Sequence, residues 1–156
     1  MNRILLWSTL ALLAAAVAGC GGGGVKQRVF PPSAAVKELR AANGEWELSL
    51  RIQNYGNVGM RVDSVEAAFS LGGHDAGPVV LAPQLVVPAG SAEVVQLRLP
   101  AAGAAATAVE EALRGGRPVR YRLEGTITSS EPERRRDRFE HESSLAPVPG
   151  LDRVLR

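Results

Sequence analysis

Glu45-Trp46-Glu47-Leu48-Ser49-Leu50-Arg51-Ile52-Gln53 alternates apolar and polar residues without a break. A period of two puts Trp46, Leu48, Leu50 and Ile52 on one face of a strand and Glu47, Ser49, Arg51 and Gln53 on the other, so the segment reads as a β-strand buried on one side only. A half-buried strand belongs to an antiparallel sheet with one wet face. Directly upstream, Asn43-Gly44 is a strong hairpin signal, and Ala34 to Ala42 becomes the antiparallel partner.

Working outward, the same period recurs in Met60 to Leu71, where Val65, Ala67, Phe69 and Leu71 fall in phase. Shorter strands are expected at Pro78 to Leu81 and at Glu93 to Leu99, with Val95, Leu97 and Leu99 on one face. Gly72-Gly73 and Ala89-Gly90 mark turns. The period changes between Ala101 and Arg114: Ala105, Val109, Ala112 and Leu113 form a helical stripe that Gly115-Gly116 terminates. Alternation returns at Val119, Tyr121, Leu123 and Ile127, and a last strand is expected from Arg134 to Ser143. Aromatic residues are 4% of the chain, so the core is aliphatic. The expected fold is mainly β, an antiparallel β-sandwich of fibronectin or immunoglobulin type with one short α-helix.

The run from Leu48 through Asn54-Tyr55-Gly56-Asn57-Val58-Gly59 to Val62, followed by Val65, Phe69 and Leu71-Gly72-Gly73, resembles the type 2 late-embryogenesis-abundant domain, also called the water stress and hypersensitive response domain. That family shows an apolar strand ending in Asn-Pro-Asn, then a strand closing at a glycine turn. Asn54 matches its first Asn. Tyr55 and Gly56 stand where the family has Pro and the second Asn, and Asn57 comes one place late. Pro88-Ala89-Gly90 and Val119 to Ile127 extend the resemblance over Pro32 to Pro147. It implies a fibronectin-like sandwich with a helix and no catalytic role. On physical grounds Asn54 and Gly56 are expected to form a structural turn: an Asn side chain bonds neighbouring backbone, and Gly56 and Gly59 can take positive φ.

The single cysteine stands in Val17-Ala18-Gly19-Cys20, behind the uncharged run Ile4 to Val17 and ahead of Gly21 to Gly24. The run suits the apolar part of an export signal and is short of the ~20 residues that a membrane-spanning helix needs. The motif resembles the lipobox of bacterial lipoproteins, which implies cleavage before Cys20 and acyl chains on it, a stable anchor when two or more are present. Gly21 in place of an aspartate implies the outer membrane, facing the periplasm. The chain then divides into a signal at 1–19, an acylated Cys with a Gly-rich tether at 20–31, a sandwich at 32–147 and a tail at 148–156. A flexible tether of the ten residues to Phe30 reaches roughly 17 Å.

Removing Arg3 from 18 basic residues leaves 17 against 16 acidic ones, a near balance that, with few aromatics, argues against nucleic-acid partners. No acid, base and nucleophile set assembles: His74 and His141 have no metal-ligand spacing, and no Gly-x-Ser-x-Gly elbow occurs. No cofactor and no metal are expected, apart from acyl chains on Cys20. Arg134, Arg136 and Arg138 would share a strand face, a candidate contact for anionic lipid headgroups, although Glu131, Glu133, Glu140 and Glu142 flank them as in a self-neutralising sheet edge. Two functions are therefore carried forward. One is a non-catalytic, membrane-anchored envelope protein linked to water-stress tolerance. The other is a lipid-binding or envelope-assembly module that uses a groove between the sheets or the arginine face.

Overall fold

The computed structural model describes residues 26–156, so the expected export signal, Cys20 and the glycines up to Gly24 lie outside the described residues. Among the described residues, nine strands and one helix follow in the order β1 (Ser33–Ala42), β2 (Glu45–Gln53), β3 (Met60–Leu71), β4 (His74–Leu81), β5 (Leu85–Val87), β6 (Ala92–Pro100), α1 (Gly103–Gly115), β7 (Val119–Glu131), β8 (Arg135–Leu145) and β9 (Val154–Leu155). They form two antiparallel sheets. The first has the strand order β6-β2-β1-β9, and the second β4-β3-β7-β8 with β5 also on β3.

The alternation in β2 sets the core. Trp46, Leu48, Leu50 and Ile52 are buried, and they belong to one apolar cluster with Val65, Phe69, Leu71, Leu123 and Ile127 of the second sheet. Phe69 and Tyr121 meet edge to face with ring centroids 6.3 Å apart, a favoured aromatic geometry. Asn43 and Gly44 both take positive φ, 52° and 77°, as a tight β1–β2 hairpin requires. Gly125, in the middle of β7, has a different reason: a Cβ there would fall 2.0 Å from the Glu66 carbonyl oxygen, so only glycine lets β7 approach β3. Helix α1 lays Ala105, Val109 and Ala112 against the end of the sandwich and stops at Gly116, whose φ of 61° lets its N–H bond the Ala112 carbonyl.

The structure departs from expectation in four places. The segment 148–156 is not a tail: Val154 and Leu155 are buried and pair with Arg40 and Leu39, adding β9 to the first sheet. A strand of two residues carries no readable period. Arg153 reinforces it, since its backbone oxygen accepts from the Ala41 N–H and its Nε donates to the Ala41 carbonyl, both at 3.0 Å. Strand β5 was likewise hidden by its length. Strand β4 begins at His74, four residues ahead of the expected start, because His74 and Asp75 pair with Leu71 and Ser70 despite their polar character, with a register shift before Pro78. Leu97 is only half-buried, because β6 is the edge of its sheet.

Apart from the β4–β5 connection, which lies along β3 between Leu81↔Val65 and Leu85↔Val62, the strand ends sort to two poles. One pole holds the chain entry at 26–32, the β2–β3 loop at 54–59, the β5–β6 loop at 88–91 and the β7–β8 turn at 132–134, as the pairings Ser33↔Gln53, Gln53↔Ala92, Met60↔Val87 and Arg61↔Glu131 require. The other holds the β1–β2 hairpin, the β3–β4 turn, α1 and the segment leading into β9.

Candidate functional site

At the entry pole, β2 crosses from the first sheet to the second through Asn54. Its side chain is buried and bonded wholly to backbone. Nδ2 lies 2.8, 3.1 and 3.2 Å from the carbonyl oxygens of Val58, Val87 and Pro88, and Oδ1 accepts the Gly56 N–H at 2.8 Å. The amide has two hydrogens for three acceptors, so one bond is shared. Gln53 adds to the corner: its Nε2 donates to the Asn54 and Ser91 carbonyls at 3.1 and 2.9 Å. The Asn54 N–H also reaches the Ser91 oxygen at 2.9 Å, so one corner ties the β2–β3 and β5–β6 loops together.

Gly56 needs to be glycine for a reason other than the expected one. Neither Gly56 nor Gly59 has positive φ. A Cβ at Gly56 would sit 2.8 Å from the Arg28 carbonyl oxygen, whereas at Gly59 it would make only ordinary contacts at 3.8 Å or more. Gly56 is thus the floor on which the entering chain lies. Asn57, which the sequence reading passed over as a displaced family residue, clamps that chain from three sides. Its Nδ2 donates to the Lys26 carbonyl at 3.0 Å, its Oδ1 accepts the Arg28 N–H at 2.7 Å, and its own N–H donates to the Arg28 carbonyl at 3.1 Å. The signal available in sequence was the Asn-x-Gly-Asn spacing, but nothing local shows that residues 26–28 are the partner.

The arginine triplet does not share one face as expected. Strand β8 starts at Arg135, so Arg134 lies in the preceding turn, while Arg136 and Arg138 point to the outer side of the second sheet. Arg136 pairs with Glu66 at 3.3 Å and donates to Thr126 Oγ1 at 3.3 Å. No ion pair of Arg134 or Arg138 occurs among the described residues. Beside them, Arg122 bridges Glu124, Glu140 and Glu142 at 2.9, 2.9 and 3.4 Å. This face is a lattice of opposite charges in water. The shallow depressions upon it are lined by such residues, one by Ser70, Arg120, Arg122 and Glu142, another by Glu124, Thr126, Arg138 and Glu140.

Elsewhere the titrating groups serve packing. Burial pushes the Tyr121 phenol up, and its O–H donates to the Val36 carbonyl at 3.3 Å. Hydrogen bonding to Arg153 holds the Glu110 carboxyl below its usual range, and that pair fastens α1 to the chain just ahead of β9. His141 lies against the Tyr121 ring at 5.9 Å, and His74 is exposed at the start of β4. Among the described residues no group of three or more His, Cys, Asp or Glu is placed to hold a metal, and no helix is long and apolar enough to cross a membrane.

A two-sheet sandwich turned at a buried Asn, with a short helix across the far pole, now has a counterpart. Residues 49–139 match the family model of the late embryogenesis abundant protein. The chain belongs to this family. An Arabidopsis thaliana protein solved in solution shares the fold of this late embryogenesis abundant chain at 11% identity and a TM-score of 0.56, over 85% of this chain and 93% of that one. An Archaeoglobus fulgidus crystal structure aligns over 78% of this chain and 98% of its own at 14% identity and a TM-score of 0.43. A late embryogenesis abundant protein solved in solution aligns over 94% and 87% at 10% identity, also at 0.43. No protein of curated function matches the sequence.

Proposed function

We propose that this late embryogenesis abundant chain is a non-catalytic envelope lipoprotein, anchored through acylated Cys20 at the periplasmic face of the outer membrane, that supports tolerance to water loss. The family match carries the water-stress part of the reading. The corner geometry supports the non-catalytic part, because Asn54 and Gln53, two of the few buried polar side chains, are engaged with backbone oxygens. The anchor rests on the lipobox-like Val17-Ala18-Gly19-Cys20.

The test is expression of the full chain and of Cys20→Ala in a bacterium, followed by fatty-acid labelling and by survival after drying. The full chain takes up label and raises survival, and the variant loses the label. Label on Cys20→Ala would refute the anchor. Unchanged survival with the full chain would refute the protective role.

A second reading, lipid handling, is favoured by one observation: the seam between β4 and β6 is an open depression lined by Leu81, Ala82, Pro83, Leu85 and Val95 together with the polar Gln96. An acyl-chain probe that saturates at about one per chain would promote it, since a groove holding one chain excludes a second.

A further inference from the structure

We infer that the entry pole is a membrane-docking surface, on which the sandwich stands with Phe30 and Tyr55 in the bilayer interface and Lys26 and Arg28 against anionic headgroups. This rests on the anchored reading above, and the observations behind it are separate from the lipobox. Six large apolar residues are exposed among the described residues: Phe30, Tyr55, Val80, Val86, Val94 and Leu151. Three of them, Phe30, Tyr55 and Val86, lie at the entry pole, whereas the opposite pole has Leu151 alone.

Their exposure has no local explanation. Val29 packs against the core and Pro32 is buried, yet Phe30 between them turns outward and remains 48% exposed. The Tyr55 ring is 57% exposed while its hydroxyl is within 3.0 Å of Ser33 Oγ, so the ring stands beside the entering chain with its apolar face to the outside. Exposed aromatic rings next to basic side chains are the combination that partitions into the headgroup region, the rings into its apolar part and the cations onto its phosphates.

The charges at this pole agree. The segments 26–32, 54–59 and 88–91 contain Lys26 and Arg28 and no acidic residue. Arg61 pairs with Asp63 at 3.8 Å, and around the β7–β8 turn Arg134 and Arg135 stand against Glu131, Glu133 and Asp137, with Arg135 bonded to the last two, so what positive excess the pole has is that of Lys26 and Arg28. Asn57 makes the arrangement rigid, since its clamp holds the backbone of Lys26 and Arg28 against the Asn54 corner. The covalent chain selects the occupant. From Cys20 to Lys26 is six residues, at most about 21 Å when fully extended, so an acylated Cys20 brings this pole and no other to the bilayer. The far pole would be more than one β-strand length away.

A photoreactive phenylalanine analogue placed singly at positions 30, 55 and 151 of the full chain tests this in membranes that contain anionic phospholipid. Fatty-acid labelling of the same samples reports the anchor independently. Crosslinking to lipid several-fold higher from positions 30 and 55 than from 151, and lowered by Lys26→Gln with Arg28→Gln, is expected. Equal yields from the three positions in labelled chain would overturn the docking surface and leave the anchor standing. If Cys20 carries no label, the anchor fails, and the same ratio in chain added to vesicles of that composition still decides: an excess at 30 and 55 supports docking, and equality overturns it.

Discussion

Asn54 tests the corner most sharply, because one substitution removes all of its side-chain bonding and another, of nearly the same shape as Asn, removes only the donors. Asn54→Ala deletes a buried amide that serves the Val58, Val87 and Pro88 carbonyls and the Gly56 N–H. The Pro88 oxygen keeps a second partner in the Ser91 N–H, so the deficit falls on the other groups. Three groups then lose this partner, the Val58 and Val87 carbonyls and the Gly56 N–H, and at about 1 kcal/mol each, the low end for a buried unsatisfied group, the loss is about 3 kcal/mol. Asn54→Asp keeps an acceptor for Gly56 and turns a carboxylate oxygen toward three carbonyl oxygens, so at neutral pH it is expected to be worse than Ala. Protonation supplies one O–H donor, and the Asp variant should regain part of its stability as pH falls. Urea unfolding of the chain from Lys26 onward is the assay. With a slope of about 1 to 3 kcal/mol per molar, the midpoint should drop by about 1 to 3 M. Midpoints within 0.3 M of the parent for both variants, or an Asp variant as stable as the parent at neutral pH, would refute the account of the corner.

The contact at Gly56 predicts that Gly56→Ala destabilises by about 1 to 3 kcal/mol, through the clash with the Arg28 oxygen, while Gly59→Ala stays within about 1 kcal/mol; equal midpoints would show that residues 26–28 do not lie there. Truncating Trp46, Leu50 or Leu123 to Ala should cost about 2 to 5 kcal/mol by the same measurement, against less at half-buried Leu97 and about 0.5 at Arg138. Glu110 has a folded pKa below its unfolded value, so its contribution is present above the unfolded pKa and lost as pH falls through the folded one. Glu110→Gln should therefore remove a small pH-dependent increment, at most about 1 kcal/mol for an exposed pair, from the acid side of the stability profile. Arg135→Val with Asp137→Val should leave thermal stability unchanged or raised and promote self-association in light scattering.

The second strand could be read to the residue: its period of two predicted Glu45–Gln53, and the structure has it so. Strand β3 also has the expected bounds, but its apolar phase moves by one residue at the register shift between Val62 and Ser64, so that Met60 and Val62 reach the core from even positions and Val65 to Leu71 from odd ones. What escaped were features without local period. Strands β5 and β9 have three and two residues, and a buried pair such as Val154-Leu155 looks the same in a tail as in a sheet. At the entry pole, Asn54 was legible because a lone Asn at a strand end has few uses other than a turn. The role of Asn57 was not, since its partners are 29 and 31 residues away. Gly56 was read as a glycine for the right turn and the wrong cause, because close approach of a distant segment leaves no mark in the sequence around it.

Edge protection accounts for the least economical part of the second sheet. Arg135 and Asp137 occupy the inward phase of β8, where Phe139 and Leu145 are buried, and they bond each other at 2.8 Å. Asp137 Oδ2 is buried without a partner. Stability alone would favour two apolar residues at such positions. Placed on the edge strand, however, an inward charge makes it costly for another chain to extend the sheet, and the outward Arg and Glu residues of β8 add to the same barrier. Loss of water concentrates every macromolecule in the compartment, which is the condition under which an open edge recruits a neighbouring strand. A domain that works there gains more from an edge that refuses partners than from one further increment of core burial. The unsatisfied oxygen of Asp137 is then a cost carried by the folded state for the sake of remaining separate.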